Sequence, residues 1–317
     1  MIFVHSIKMI IIARVEGASH RPNTMKRLSL NSIMCAQLFA QKYCFQWVFV
    51  AMLLVLGGCS DPQQITAAEM SDIVALGHGG MGISSAFPLN SQEGIEKCLS
   101  LGLDGTELDV QLTADSVLVA FHDADLGEDT KLEGRIHGTT WEQLQETKFT
   151  GALRTSCEVV SLDDLFSGID DLRRFKFTFD CKLHPVEMMD GQYHAQFVGA
   201  IYRLLSKHSL GSAIAIESQD VAFLKACRLR LPTCGYYYYP STFEDGFSVA
   251  VDAGFDGITI DADKISKAQI DELHAAGFKV AVWNVQSPSE NWDAINKRPD
   301  FIQTDEPKHL QRVLKNF

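Results

Sequence analysis

The sequence lacks a GxxxxGK[ST] phosphate loop, has no repeat of 20–50 residues, and carries little positive charge beyond its first 58 residues. These absences argue against a P-loop nucleotidase and a solenoid. Residues 59–317 contain 22 lysines and arginines against 39 aspartates and glutamates, a net charge of −17. Binding to nucleic acid needs basic side chains that neutralise phosphates, so we expect no nucleic-acid partner. An excess of carboxylates is compatible with a cation site.

The sequence also has no apolar run of the about 20 residues that a membrane-spanning helix requires. The run at residues 44–58, CFQWVFVAMLLVLGG, is shorter and follows several basic residues, which is typical of a secretion signal. The stretch Leu56-Gly57-Gly58-Cys59 resembles a bacterial lipobox. This resemblance implies cleavage before Cys59 and lipidation of that cysteine, and an uncleaved signal anchor is the alternative.

The residue after the lipobox cysteine is Ser60 rather than aspartate. In the enterobacterial pattern this implies sorting to the outer membrane. We therefore expect an exported protein that several acyl chains anchor in the bacterial cell envelope, facing the periplasm.

The predicted signal lies unusually far from Met1, whereas Met25 or Met34 would give a more ordinary distance. We therefore expect that residues 1–24 do not belong to the natural product. The leader would occupy residues 1–58, and a polar tether would follow over residues 59–71.

Five cysteines lie beyond Cys59, and their spacing matches no zinc motif. An exported compartment permits disulfides, but an odd number leaves at least one cysteine unpaired. We expect small buried residues with at most one disulfide among Cys98, Cys157, Cys181, Cys227 and Cys234.

From residue 72 onwards, short apolar runs alternate with longer amphipathic segments. The runs predict strands at residues 73–77, 106–112, 117–121, 175–181, 213–216, 234–239, 257–260, 279–283 and 301–303. The longer segments predict helices at residues 91–101, 193–207, 220–228, 243–253 and 267–276.

This alternation predicts an α/β fold with a parallel sheet covered by helices. The short polar link at residues 113–116 makes the second and third strands a hairpin. Without the hairpin partner, eight parallel strands remain, so we predict a (β/α)8 TIM barrel. Residues 123–160 are polar, and we expect them to be irregular, with few apolar anchors.

Polar residues stand at the ends of several predicted strands, where a barrel places its chemistry. Side chains two residues apart on a strand point to the same face, so Glu107 and Asp109 project together, as do Asp180 and Lys182. Further candidates at strand ends are His78, His122 and Trp283.

Three carboxylates at one barrel mouth would repel one another unless a cation lies between them. All-oxygen ligands suit Ca²⁺ or Mg²⁺ rather than zinc. Two histidines can divide the roles of general acid and general base, and Lys182 can meet an anionic group. Together these groups predict metal-assisted cleavage of a phosphodiester.

An ordered set of motifs resembles the glycerophosphodiester phosphodiesterase family over roughly residues 73–310. Six segments of this sequence are similar to motifs of the family. They are residues 78–80 (His-Arg-Gly in the family), 88–91 (Pro-Glu-Asn-Thr), 107–110 (Glu-x-Asp-Val), 113–116 (Thr-x-Asp-Gly), 119–123 (Val-x-His-Asp) and 180–182 (Glu-x-Lys). Three later landmarks match Ser161–Leu165, Val282–Val285 and Thr304–Pro307.

The resemblance implies a single barrel domain over residues 72–317 with a small insertion after strand two, at about residues 123–173. It implies that Glu107, Asp109 and Asp180 bind a divalent cation, Ca²⁺ or Mg²⁺. It also implies that His78 and His122 are the acid/base pair and that Lys182 contacts phosphate.

The activity that the resemblance implies is hydrolysis of glycerophosphodiesters to sn-glycerol 3-phosphate and an alcohol. In such enzymes the substrate's own glycerol hydroxyl attacks phosphorus, and water then opens a cyclic phosphate. The small-molecule substrate and, through the lipid anchor, the membrane are the expected partners.

Three positions depart from the family pattern. Gly79 stands where the family has its phosphate-binding arginine, and Leu89 stands where it has the glutamate of Pro-Glu-Asn-Thr. Asp180 stands where the family has a glutamate as its third metal ligand. We therefore expect weak affinity for simple glycerophosphodiesters, with specificity moved to headgroup contacts around Trp283 and the insertion.

Two other functions remain open. One is a phosphodiesterase that resembles phospholipase C or D and cleaves a related lipid headgroup. The other is a catalytically silent lipoprotein that only binds a phosphodiester. Both histidines, His78 and His122, are present, which favours an enzyme because a binding protein needs no acid/base pair.

Overall fold

The computed structural model describes residue 66 and residues 70–150, 157–184 and 190–315. The predictions for the leader, for lipidation of Cys59 and for most of the tether fall outside these residues and stay predictions. Within the described residues, no helix combines the length and the apolarity needed to cross a membrane.

Ten strands form one sheet, and eight of them run parallel and close on themselves. Their order is β1-β10-β9-β8-β7-β6-β5-β2, with β2 pairing back onto β1, while β3 and β4 extend the sheet antiparallel beyond β2. The strands are β1 (Val74–Gly77), β2 (Gly105–Leu112), β3 (Leu118–Ala120), β4 (Val160–Ser161), β5 (Lys176–Cys181), β6 (Ile214–Ser218), β7 (Gly235–Tyr238), β8 (Gly257–Asp261), β9 (Lys279–Val285) and β10 (Phe301–Thr304). The predicted (β/α)8 barrel and its hairpin are confirmed.

Helices connect the barrel strands, and several begin at a side-chain cap. Ser91, Asp220, Thr242 and Ser287 each accept a hydrogen bond from a backbone N–H of the first turn, which supports helix starts at these positions. The helices are α1 (Gln92–Ser100), α2 (Leu126–Asp129), α3 (Trp141–Leu144), α4 (Leu162–Gly168), α5 (Asp190–His208), α6 (Val221–Arg230), α7 (Phe243–Ala253), α8 (Lys267–Ala275), α9 (Pro288–Lys297) and α10 (Pro307–Lys315).

The apolar side chains of alternate strand positions pack outward against these helices. Leu108, Phe177, Phe179 and Ile216 are fully buried in the larger cluster. Their neighbours along each strand, such as Glu107, Asp109 and Asp180, face the barrel interior instead. This alternation gives the barrel an apolar outer layer and a polar interior at the site end.

The segment after β3 has more apolar anchors than the sequence predicts. Leu126, Ile136, Leu144 and Phe149 are buried in a cluster of their own together with Phe121 from the end of the hairpin. Short helices and turns separate these residues, so they show no regular period. The expectation of few anchors over residues 123–160 is therefore wrong.

The five cysteines beyond Cys59 are all buried and none is in a disulfide. Cys181 and Cys227 lie in the larger apolar cluster, and Cys98 lies in the second one. They behave as small apolar side chains, as expected.

A buried polar group lies inside the barrel below the strand ends. Gln303 Nε2 on β10 donates to both carboxylate oxygens of Glu217 on β6, at 2.8 and 3.0 Å, and lies 3.1 Å from Thr178 Oγ1 on β5. Burial raises the pKa of Glu217 to about 8. Burial therefore favours the neutral acid form of Glu217 in the folded protein.

We expect Glu217→Gln to remove a pH-dependent loss of stability. The folded-state pKa lies above the unfolded value of 4.5, so the unfolded chain loses its proton first and the wild type loses stability as pH rises from about 5 to 8. The variant cannot titrate, so its free energy of unfolding relative to wild type should rise over this interval. Urea unfolding at pH 5 and pH 9 measures it, with the exposed Glu272→Gln as control. A pH-independent difference would contradict the prediction.

Candidate active site

The predicted site residues converge at the carboxyl ends of the barrel strands. Glu107 and Asp109 lie in β2, and Asp180 lies near the end of β5, next to Asp109 in the sheet register. His78 and Lys182 follow the ends of β1 and β5 directly. The parallel strands therefore bring together residues that lie up to 104 positions apart.

Three carboxylates form the centre of this site. One oxygen each from Glu107, Asp109 and Asp180 lies within 4.8 Å of the others, and the first two side chains are almost fully buried. Hard cations such as Ca²⁺ and Mg²⁺ prefer such an all-oxygen set. The donors present thus fit a divalent cation of this type.

Backbone and amide groups fix two of these carboxylates. Asn90 Nδ2 donates to Asp109 Oδ2 at 2.7 Å, and Asn90 Oδ1 accepts from the Asp109 N–H at 3.0 Å. The Gly79 N–H donates to Glu107 Oε2 at 2.8 Å. Sequence reasoning gave Asn90 no role, although it stands inside one of the matched motifs.

Lys182 bridges two of the three carboxylates, Asp109 and Asp180. Its Nζ lies 2.9 Å from Asp109 Oδ1 and 2.7 Å from Asp180 Oδ2. Burial opposes the ammonium charge, but both carboxylates outweigh burial and raise the pKa of Lys182. The lysine therefore acts as the internal counter-ion of the carboxylate cluster.

The carboxylates respond unequally to this arrangement. Burial, followed by the charge of Asp109, raises the pKa of Glu107 well above its ordinary value. Burial also raises the pKa of Asp180, partly offset by Lys182. For Asp109, burial is outweighed by Lys182 and the two histidines, so its pKa falls. A cation at the three carboxylates would relieve the repulsion that these shifts express.

Each predicted histidine has a carboxylate partner. His78 Nδ1 lies 2.8 Å from Asp305 Oδ1, and His122 Nδ1 lies 2.7 Å from Asp123 Oδ1. The His78 side chain is 22% exposed, whereas that of His122 is 48% exposed. Burial opposes protonation of His78, but the hydrogen bond with Asp305 and the charge of Glu107 raise its pKa to about 9.

Two of the three departures from the family pattern, Gly79 and Leu89, lie next to each other. Gly79 has φ +49°, and a Cβ built on it would lie 2.8 Å from Leu89 Cδ2. Leu89 therefore occupies space that any side chain at position 79 would enter. The two residues form one local unit beside Glu107.

The glycines at the end of β1 and in the loop that follows have the spacing of a nucleotide-binding motif. Gly77, Gly79 and Gly82 match G-x-G-x-x-G, the spacing of dinucleotide-binding loops. That fingerprint requires a helix to begin within the loop, whereas the next helix starts at Gln92. The Gly79 N–H is directed to Glu107, so this loop serves the carboxylate cluster.

Aromatic side chains line another part of the mouth. Trp283 is half-buried near the end of β9, with its ring centroid 5.4 Å from that of Tyr239. Its indole Nε1 is buried without a hydrogen-bond partner among the described residues. A cavity of about 650 Å³ opens between β5, β6 and β7 and is lined by Asp180, Lys182 and Tyr239.

Comparison with known proteins agrees with this arrangement. The glycerophosphoryl diester phosphodiesterase family matches residues 81–309. The chain belongs to this family. The match begins after His78, so the assignment of that histidine to the site depends on the local motif and on its position at the end of β1.

Relatives cover most of the chain. It is 24% identical over 253 residues to the Mycobacterium tuberculosis protein named "Probable glycerophosphodiester phosphodiesterase 2". The alignment covers 76% of this chain and 90% of the relative. An Oleispira antarctica phosphodiesterase, solved in complex with the product sn-glycerol-3-phosphate, aligns with a TM-score of 0.67 at 20% identity, covering 78% of this chain and 99% of that one.

A glycerophosphodiester phosphodiesterase from Thermotoga maritima has a TM-score of 0.59 at 19% identity, covering 76% of this chain and 98% of that one. At these identities the solved structures establish the shared barrel fold. The predicted family is thus confirmed by the family match itself.

We expect Lys182→Met to destabilise the metal-free protein by about 3 kcal/mol or more, because it leaves buried carboxylates without a counter-ion. Added Ca²⁺ or Mg²⁺ should then raise the melting temperature more in the variant than in wild type. Lys207→Met is the control, since Lys207 pairs with Asp163 at the surface and should contribute less than about 1 kcal/mol. Equal destabilisation in the two variants, measured in EDTA, would contradict the counter-ion role.

Proposed function

We propose that this chain is a divalent-cation-dependent enzyme that hydrolyses glycerophosphodiesters to sn-glycerol 3-phosphate and an alcohol. The observation that carries the proposal is the meeting of three carboxylates, Lys182 and two carboxylate-paired histidines at one barrel mouth, within a chain of this family. A protein that only binds phosphodiesters would not need the histidine pair.

Glu107, Asp109 and Asp180 would hold the cation. A cation of this kind supplies electrostatic stabilisation of the phosphoryl oxygens as negative charge builds on them. Lys182 lies against two of these carboxylates, so its ammonium is close to where a phosphate would meet the cation. We assign it to phosphate binding.

The two histidines would perform the proton transfers. In the first step one imidazole removes the proton of the glycerol 2-hydroxyl, whose oxygen bonds to phosphorus, while the other imidazole protonates the departing alkoxide. The product is a five-membered cyclic phosphate. In the second step water opens this ring, with the two histidines exchanging roles.

Trp283 and the cavity next to Lys182 would receive the alcohol headgroup. The Tyr239 and Trp283 rings offer an apolar face to that group. We also propose that the chain is an exported lipoprotein anchored through Cys59, on the sequence grounds given above.

The direct test is release of glycerol 3-phosphate from glycerophosphocholine, glycerophosphoethanolamine and glycerophosphoinositol. We expect turnover with Ca²⁺ or Mg²⁺, its loss after chelation, and its return when the cation is restored. Phosphocholine as the product would favour a phospholipase C-like reaction. Saturable binding without any turnover would favour the silent binding protein, and full activity after exhaustive chelation would contradict the metal assignment.

We expect His78→Ala and His122→Ala each to lower kcat by roughly 10²–10⁴-fold, the usual contribution of a general acid or base. His122→Ala should change the melting temperature little because its pair with Asp123 is exposed, whereas His78→Ala leaves the buried Asp305 carboxylate without its partner and should lower the melting temperature. His274→Ala is a matched control, because His274 also pairs with an aspartate, Asp300, but stands on α8. Near wild-type turnover in either active-site variant would make that histidine structural.

Gly79 and Leu89 give a test of substrate affinity. An arginine at position 79 would grip phosphate through charge-assisted hydrogen bonds of about 1.5–3 kcal/mol. Gly79→Arg alone should fail, because φ +49° and Leu89 both oppose the side chain and no carboxylate receives the guanidinium. Gly79→Arg with Leu89→Glu should lower KM for glycerophosphocholine more than either single change.

The double-mutant cycle decides whether these two positions are coupled. A double mutant whose KM merely sums two harmful single changes would show that they act independently. The account of the departure from the family pattern would then be wrong.

A further inference from the structure

We propose that Asp305 is a positioning residue that holds His78 with Nδ1 protonated and directed away from the reacting atoms, which leaves Nε2 to transfer protons. The proposal rests on the proposed function, because it concerns how one of its two histidines works. Asp305 itself does not touch the carboxylate cluster through any hydrogen bond among the described residues.

The contacts of Asp305 define the orientation of the ring. Its side chain is 1% exposed, and Oδ1 lies 2.8 Å from His78 Nδ1 and 2.9 Å from the backbone N of Ile83. An ionised carboxylate can only accept hydrogen bonds. His78 Nδ1 must therefore carry a proton in this pair, and Nε2 is the nitrogen free to gain or lose one.

The barrel closure supplies the geometry of this pair. β1 and β10 are neighbours, with Gly77 opposite Thr304 in the register. The His78 N–H donates to the Thr304 carbonyl at 3.0 Å, and the Asp305 N–H donates to the Val285 carbonyl at 2.9 Å. The backbones on both sides of the pair are thus fixed by the sheet, although the two residues are 227 positions apart.

The loop after β1 is also built to lie against Asp305. The Gly82 N–H donates to the His78 carbonyl at 3.0 Å. Gly82 has φ +79°, and a Cβ there would lie 2.3 Å from Asp305 Cα. Only a glycine permits this close approach, which excludes solvent from the carboxylate.

The second histidine has a much weaker restraint. Asp123, its partner, is the next residue in the chain and is 31% exposed, and the His122 side chain is 48% exposed. Water can replace that contact, whereas it cannot reach the Asp305 carboxylate. The restraint on tautomer and orientation therefore applies to His78 and not equally to His122.

Asp305 could instead serve only to fix the loop through Ile83, and the two roles predict different results. Asp305→Asn keeps the size of the side chain and an oxygen for the Ile83 N–H. It removes the charge that stabilises the Nδ1–H tautomer: both contacts go to Oδ1, so the amide oxygen that keeps the Ile83 N–H faces His78 Nδ1 only as a weaker, uncharged acceptor. A purely structural role would therefore survive this substitution, but a positioning role would not.

The test uses the cation-loaded full chain in three forms: wild type, Asp305→Asn and Asp163→Asn. Asp163→Asn is the matched control because it removes a carboxylate from another histidine, His208, which lies 2.9 Å away on α5. Steady-state kinetics on glycerophosphocholine give kcat and KM. Long-range ¹H–¹⁵N spectra of ¹⁵N-histidine protein report which nitrogen of neutral His78 carries the proton.

We expect Asp305→Asn to lower kcat by at least roughly 10²-fold, within the range for a general acid or base, with KM changed less than about threefold and with Asp163→Asn unchanged. Neutral His78 in wild type should carry its proton on Nδ1, and in Asp305→Asn at least partly on Nε2. Wild-type kcat in Asp305→Asn, or Nε2 protonation in wild type, would overturn the proposal. The wild-type spectrum decides even if the variant does not fold.

The spectra also separate this proposal from the proposed function. If wild type releases no glycerol 3-phosphate from any glycerophosphodiester but His78 is protonated on Nδ1, the proposed function fails and the positioning role of Asp305 stands. If wild type is active but His78 carries its proton on Nε2, the reverse holds.

Discussion

Electrostatic repulsion among three neighbouring carboxylates, two of them buried, is the constraint on which the site depends. Glu107, Asp109 and Asp180 lie too close together to be ionised without a positive charge beside them. Lys182 supplies one such charge between two of them, and a divalent cation would supply another. Because a phosphodiester is itself an anion, it can bind here only if the positive charge at the site exceeds the negative charge of the carboxylates. Lys182 and a divalent cation would together supply three positive charges against the three carboxylates, and protonated His78, whose pKa is raised to about 9, would supply the excess.

The barrel fold brings side chains from separate strands together in this arrangement. Alternation along β2 and β5 turns the acidic side chains inward and the apolar ones toward the helices. The closure of β10 onto β1 then brings Asp305 to His78. The same closure that stabilises the fold therefore fixes one histidine, whereas the other stands on the hairpin and is more exposed. The two histidines thus differ in how firmly the protein holds them.

The strands could be predicted because they depend on local signals. Short apolar runs predicted β2 and β5, and the strand-end rule selected His78, Glu107, Asp109 and Asp180, which the fold brings to one end of the barrel. Helices α9 and α10 were missed, although buried residues recur along α10 at Pro307, Leu310 and Val313. The insertion's apolar cluster was missed because its members have no common period. The pairing of His78 with Asp305 is a long-range contact, and the roles of Asn90 and Asp305 became visible only with the strand order.

The most direct test of the central claim is calorimetric titration of Ca²⁺ and Mg²⁺ into the chelator-stripped protein at neutral pH. The account predicts one saturable site per chain, weakened at least about tenfold by Asp109→Asn and unaffected by Asp163→Asn, whose carboxylate lies on α4 at the surface. The absence of saturable binding in the wild type, or equal affinity in all three proteins, would contradict a cation held by Glu107, Asp109 and Asp180.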